Sequence, residues 1–270
     1  MPDLFYIIEC MNEILRVALV QTDIVWEDKE QNLLHCAAVL EGLSGRCDLA
    51  VLPEMFTTGF SMRAEELSEP VSGPTVEALM GWARRYNLAL AGSFMAREGE
   101  VCYNRGFMVM PDGEAHYYDK RHLFRMGEEG RHFAAGDRRL VVNYRGWNIA
   151  LQVCYDLRFP VWCRNVNNEY DLLLVVANWP QSRAYAWSSL LVARAIENAA
   201  YVCGVNRTGH DATSMVYRGD TMAVGVKGEI LAEAEPFTEQ VVEVELDLSK
   251  VRRFREKFPV WKDADDFLLR

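Results

Sequence analysis

The sequence predicts an α/β protein in which two mixed β-sheets pack on each other with helices outside. Three observations predict it. Apolar runs at 48–52 (DLAVL), 147–153 and 172–177 (LLLVVA) read as buried strands. Segments of helical spacing interleave with several of these runs, as parallel strand connections require. Elsewhere strands follow one another with only a turn between them, which an all-parallel sheet does not allow.

The elements follow in order. Residues 16–24 (RVALVQTDI) read as the first strand, and 28–43 carry apolar residues at helical spacing, among them Leu33, Leu34 and Ala37. The strand at 48–52 is ended by Pro53-Glu54. A loop is expected over 59–73. Pro74 then opens a helix to Tyr86 from the position where its missing N–H costs nothing. Strands are expected at 87–95, 101–110 and 115–118, the last two joined by the turn Pro111-Asp112-Gly113. An irregular segment runs from Lys120 to Asp137. Two strands, 139–143 and 147–153, meet at Arg145-Gly146, and a short helix is expected over 158–167. The strand at 172–177, a helix at 184–200 and a strand at 201–206 follow. A hairpin at 221–234 turns at Lys227-Gly228, residues 241–247 (VVEVELD) alternate as a half-exposed strand should, and a helix is expected at 249–257.

The chain has 270 residues and half of them are apolar, enough for one large core. Its formal charge of −10 argues against nucleic acid as a partner, which calls for a basic patch, and disfavours an anionic membrane surface. Seven cysteines, at 10, 36, 47, 102, 154, 163 and 203, form no C-x-x-C and are odd in number. A disulfide framework or zinc ribbon is not expected, and free thiols fit the cytoplasm. The start, including L-F-Y-I-I, makes a poor signal peptide, and no run reaches the ~20 apolar residues of a membrane span. Residues 1–15 are read as an N-terminal extension, with Met11 an alternative start, and 16–270 as one domain.

The chemistry-bearing residues stand at strand ends. Cys154 ends the run 149–153 and is followed by Tyr155 and Asp156. A nucleophile where a strand breaks into a turn stands above the sheet, with the next N–H free for an oxyanion. The stretch alone reads more readily as a buried structural thiol. Glu54 ends the strand at 48–52, where apolar surroundings would make it a general base; a surface carboxylate is the plainer alternative. Lys120 sits in Y-Y-D-K-R-H-L-F, flanked by Tyr117, Tyr118, Leu123 and Phe124, and either stabilises an oxyanion or is solvated. Glu128, eight residues on in G-E-E-G, would pair with Lys120 or be exposed. His35, His116, His122, His132 and His210 show no metal spacing, and the serine-hydrolase, P-loop and dinucleotide fingerprints are absent.

Three separated motifs, P-E-M-F-T-T-G-F, Y-D-K-R-H-L-F and V-C-Y-D-L-R-F-P, resemble the Glu, Lys and Cys motifs of the nitrilase superfamily of carbon–nitrogen hydrolases. F-x-A-G-D at Phe133, A-N-W-P at Ala177, A-R-A-I-E-N at Ala193 and G-V-N-R-T-G at Gly204 extend the likeness from Arg16 to about Asp247. Within the superfamily, N-W-P, T-T-G-F-S-M and the compact length resemble the omega-amidases, which hydrolyse the distal amide of 2-oxoglutaramate and 2-oxosuccinamate. The resemblance implies a four-layer αββα sandwich and a homodimer paired through an α face. It implies Cys154 as nucleophile, Glu54 as general base, Lys120 as oxyanion-stabilising amine, Glu128 as a further positioning carboxylate and the Tyr155 N–H as second oxyanion donor. The residues before Arg16 lie outside it.

The expected reaction is therefore amide hydrolysis through a Cys154 thioester on a small-molecule substrate, with no metal or organic cofactor, since every role has a side chain. A keto acid also needs a cation for its carboxylate; Arg158 and Arg183 are the candidates, each equally readable as a structural ion pair. Asn178 and Trp179 are expected near the pocket, and Arg194 and Glu197 as an intrahelical pair. The competing expectations are a carbamoylase, aliphatic amidase or nitrilase, and a silent binding scaffold on the same fold.

Overall fold

A computed structural model describes residues 13–267. Two six-stranded mixed sheets account for the architecture. The first has strands β1 (Ile14–Gln21), β2 (Leu49–Val51), β3 (Ala89–Glu98), β4 (Val101–Val109) and β5 (Ala115–Asp119), closed by β14 (Gln240–Asp247) in the order β14-β1-β2-β3-β4-β5. The second has β6 (Leu140–Tyr144), β7 (Trp147–Val153), β8 (Leu172–Ala177), β9 (Tyr201–Asn206), β12 (Met222–Val224) and β13 (Ile230–Glu233) in the order β13-β12-β9-β8-β7-β6. Both sheets repeat one plan. An antiparallel edge strand is followed by a parallel trio (β1-β2-β3 and β7-β8-β9) and two antiparallel strands. The sequence itself shows no repeat; the plan is duplicated in topology only.

Side-chain alternation builds the layers. In β1, Val17 and Leu19 face the second sheet while Ala18 and Val20 face helices. In β8, Leu172, Leu174 and Val176 face the first sheet, and Leu173, Val175 and Ala177 pack with Trp187, Leu191 and Ala195 of the helix Ala184–Asn198. A strand with both faces apolar must be covered on both, which is why no polar alternation marks it. Helices Lys29–Glu41 and Pro74–Tyr86 cover the first sheet through Cys36, Leu40, Val76, Leu79 and Ala83. Asp28 caps the former by accepting the Gln31 N–H at 3.0 Å. The latter starts with Pro74 at its first turn and ends with Asn87 in the left-handed region. The result is the αββα sandwich. No helix among the described residues is long and apolar enough to cross a membrane.

Four expectations are corrected. The helix expected over 158–167 is a single α-turn, Pro160–Cys163, between 3-10 turns Cys154–Arg158 and Val166–Asn168. Asn165 stops it: its side chain exchanges hydrogen bonds with the Tyr170 backbone, and Asn167 takes a φ of 53°. A second hairpin, β10 (Thr208–His210) and β11 (Val216–Arg218), was not expected. The loop over 59–73 holds one helical turn, Ala64–Leu67. The first strand also begins at Ile14, opposite Asp247, so the sheet reaches into the expected extension. Residues 1–12, with the alternative start at Met11, lie outside the described residues.

Candidate active site

The C-terminal ends of β2, β7 and β8 come together, each delivering a residue from the chain just beyond it. Past β2, Glu54 is fully buried. Its Oε1 accepts from Lys120 Nζ at 2.9 Å and from Asn104 Nδ2 at 2.7 Å. Its Oε2 accepts the Asn178 backbone N–H at 2.8 Å, just past β8. Asn178 Nδ2 reaches the Glu54 carbonyl at 2.6 Å, so Asn178 fixes both the backbone and the carboxylate of Glu54. Lys120, one residue beyond β5, is also fully buried. Burial works against its charge, but Glu129 and then Glu54 outweigh it and raise the ammonium above its ordinary range.

The carboxylate paired with Lys120 besides Glu54 is Glu129, which corrects the expectation for Glu128. Lys120 Nζ donates to both Glu129 oxygens at 3.0 Å, and the Phe124 N–H donates to Oε2 at 2.6 Å. Glu128 is 57% exposed at its side chain and pairs with Arg131 at 2.8 Å. The reason is local. Glu128 lies between two 3-10 turns with φ 57°, and this left-handed residue turns its own side chain outward and its neighbour's inward. Burial raises the Glu129 carboxyl above its ordinary range, against the pull of Lys120.

Cys154 follows β7 at φ 48°, a conformation that costs a non-glycine residue strain and lifts its side chain out of the sheet. Burial, then the neighbouring Glu54, push its thiol well above the usual thiol range, while Lys120 opposes. Burial and the neighbouring carboxylate thus favour the protonated thiol over the thiolate at Cys154.

Cys154 lies in a cavity of about 340 Å³ walled by Trp26, Phe60, Phe124, Trp179, Met215 and Tyr217, with Tyr155, Arg158, Asn178 and Arg183 also lining it. Arg158 stacks on Trp179 with its guanidinium carbon 4.9 Å from the ring centre, and Arg183 stacks on Phe124 at 5.2 Å. Among the described residues neither guanidinium is paired with a carboxylate. Trp179 is both core and wall: its backbone N–H donates to Asn206, its indole N–H donates to the Arg183 carbonyl, and its ring packs on Trp187. Arg194 and Glu197 do form an intrahelical pair at 2.9 Å, and Arg194 also donates to the Leu157 carbonyl at 2.6 Å in the turn after Cys154.

Sequence reasoning missed three further residues. Asn104 joins the two carboxylates. Asp156, fully buried, accepts from the His122 backbone and ring, the Tyr118 hydroxyl and the Val153 N–H. Tyr217 walls the cavity and donates to Asp211 at 2.9 Å. Their signals were faint: one polar residue inside an apolar strand, one acid beside the nucleophile, and a hairpin too short for its periodicity to show.

The sandwich is that of the nitrilase superfamily of carbon–nitrogen hydrolases, and it gathers Glu54, Lys120 and Cys154 as candidate site residues. The chain belongs to the carbon–nitrogen hydrolase family, whose model matches residues 16–256. It is 48% identical over 255 residues to the omega-amidase YafV of Escherichia coli K12, covering 94% of this chain and 98% of that one. It is 30% identical to the 2-oxoglutaramate amidase of Bacillus subtilis, over 92% of this chain and 96% of the other. Among solved structures it is similar to XC1258 of Xanthomonas campestris, a CN-hydrolase superfamily protein with an arsenic adduct in its active site. The TM-score is 0.93 and the identity 44%, over 95% of this chain and 99% of that one.

Proposed function

We propose that the protein is an amidohydrolase that cleaves the distal amide of a small keto-acid amide, of the 2-oxoglutaramate or 2-oxosuccinamate type, to the acid and ammonia. The observation that carries the reading is a single cavity with the Cys154 thiol in its lining, the Glu54 carboxylate and Lys120 ammonium buried beside that thiol, and two guanidinium groups in its wall that pair with no carboxylate among the described residues. The relatives named for this activity support it.

In this mechanism Glu54 takes the thiol proton of Cys154, and the thiolate attacks the amide carbonyl. Lys120 and the Tyr155 N–H hold the oxyanion, while Glu129 keeps Lys120 charged and aimed. Glu54 returns the proton to the departing nitrogen, and ammonia leaves a thioester. Glu54 then takes a proton from water, the hydroxide displaces the thiolate, and the acid leaves with the thiol restored. Arg158 and Arg183 receive the substrate carboxylate at the far end, and Asn178 holds the base. The same reading has two copies paired through the α face that bears the exposed Tyr185 and Ile196, in the reducing cytoplasm that suits the free thiols.

Ammonia release from 2-oxoglutaramate is measured beside glutamine, an aliphatic amide, an N-carbamoyl amino acid and a nitrile, with Cys154→Ala as control. Turnover of the keto amide that vanishes in the variant supports the reading. Turnover of another member alone keeps the chemistry and replaces the substrate, and silence on all of them favours a binding scaffold.

A further inference from the structure

We propose that Asn104, held by Ser93, is a positioning residue of this hydrolase whose amide keeps Glu54 and Glu129 as a pair of separate anions around Lys120. The inference rests on Glu54 acting as the base, as above.

Asn104 lies in β4, fully buried. Its Nδ2 donates to Glu54 Oε1 at 2.7 Å and to Glu129 Oε1 at 3.1 Å. Lys120 Nζ reaches the same two oxygens, at 2.9 and 3.0 Å. An amide nitrogen has two hydrogens, one for each carboxylate. The two donors thus bridge the oxygens from two sides, with the Phe60 ring beside the Lys120 ammonium at 5.2 Å.

The amide end is fixed. Ser93 Oγ accepts the Met55 N–H at 2.9 Å and directs its one hydrogen to Asn104 Oδ1, also at 2.9 Å. A flipped amide would set Oδ1 against two carboxylates and leave the Ser93 hydroxyl facing an NH₂. The chain thereby anchors the residue after the base and the amide that holds the base through one hydroxyl.

The arrangement answers an electrostatic problem. Glu54, Glu129 and Lys120 sum to one negative charge with no solvent exposure. Two buried carboxylates so close tend to share a proton, as a coupled pair does. A shared proton would occupy the base that must accept the one from Cys154. Lys120 neutralises one charge, and Asn104 supplies a donor to each anion without adding a charge. The other ionisable groups facing the pair are the Cys154 thiol and the Tyr217 phenol.

Alkylation of Cys154 by iodoacetamide, followed across pH by peptide mass spectrometry, tests this without a substrate. The sulfur displaces iodide to form a thioether, and the thiol proton passes to Glu54. Asn104→Leu keeps the volume and removes both donors. The pair then takes up a proton at higher pH, so the acid limb of alkylation moves up by about one pH unit. Ser93→Ala leaves the amide in place but unpinned and moves the limb in the same direction by less; it carries the test alone if Asn104→Leu does not fold. A limb that coincides with that of the parent protein in the folded variants overturns the proposal and leaves Asn104 a core residue. Because no substrate enters, this outcome is independent of the keto-amide assay.

Discussion

Asp156 accepts the backbone N–H of His122 at 2.9 Å, two residues beyond Lys120 and two residues after Cys154. One buried carboxylate therefore joins the segment that carries Lys120 to the turn that carries Cys154. It also takes the Tyr118 hydroxyl at 2.7 Å and the Val153 N–H at 3.2 Å. The tie crosses between sheets, since Tyr118 is in β5 and Val153 in β7.

Asp156→Ala leaves several buried donors without an acceptor. A loss of about 3 kcal/mol in unfolding free energy is expected. Urea unfolding measures it. The variant that still folds should also lose kcat more than KM rises, because what loosens is the distance between Lys120 and Cys154. An unchanged kcat would show that the two segments hold their places without the carboxylate.

Glu129 and Glu128 separate cleanly. Glu129→Gln keeps the shape but removes one of the two anions on Lys120, and kcat should fall by about 10²–10³, the scale of losing an oxyanion group. Glu128→Gln breaks only an exposed pair with Arg131 and should leave kcat within about twofold. Steady-state assays of the two proteins decide between adjacent residues.

The two guanidinium groups are distinguished by substrate. Replacing Arg183 or Arg158 by Ala should raise KM for the keto amide by about tenfold or more, with little effect on an aliphatic amide that has no carboxylate. The larger effect marks the principal carboxylate partner. A loss equal for both substrates would place the arginine in the structure of the wall.

The hairpin that walls the cavity carries a pH dependence. Burial pushes Asp211 up, but donors from Thr213, Tyr217 and Met215 outweigh it and hold the carboxyl below its ordinary 3.8. A folded value lower than the unfolded one stabilises the native state above 3.8, and that contribution fades as pH falls through the folded value. Asp211→Asn should therefore melt below the parent protein at neutral pH, and the gap in Tm should narrow below about pH 4. Thermal melts across pH read this directly; a gap that does not narrow would remove the carboxylate charge as its source.

The strands and covering helices were legible because their cause is local. Leu172–Ala177 and Tyr201–Asn206 match the expected strands, and Pro74–Tyr86 matches the expected helix. Apolar periodicity and end residues act over a few positions, and burial follows from them. Glu54, Lys120 and Cys154 were legible for a related reason, since each stands where a strand stops. The 158–167 segment was misread because Asn165 ends its helix by bonding to Tyr170, a choice its apolar spacing does not reveal.

By itself the sequence determined the α/β class, most of its strands, the family motifs and three residues of the candidate cluster. Tertiary structure alone decided which glutamate of Glu128-Glu129 meets Lys120, because a single left-handed residue exchanges their directions. It alone brought Asn104 between Glu54 and Glu129, which lie 50 and 25 positions away along the chain. Periodicity records which face of an element is buried; it carries nothing about which polar groups from distant elements must satisfy one another once they are buried together.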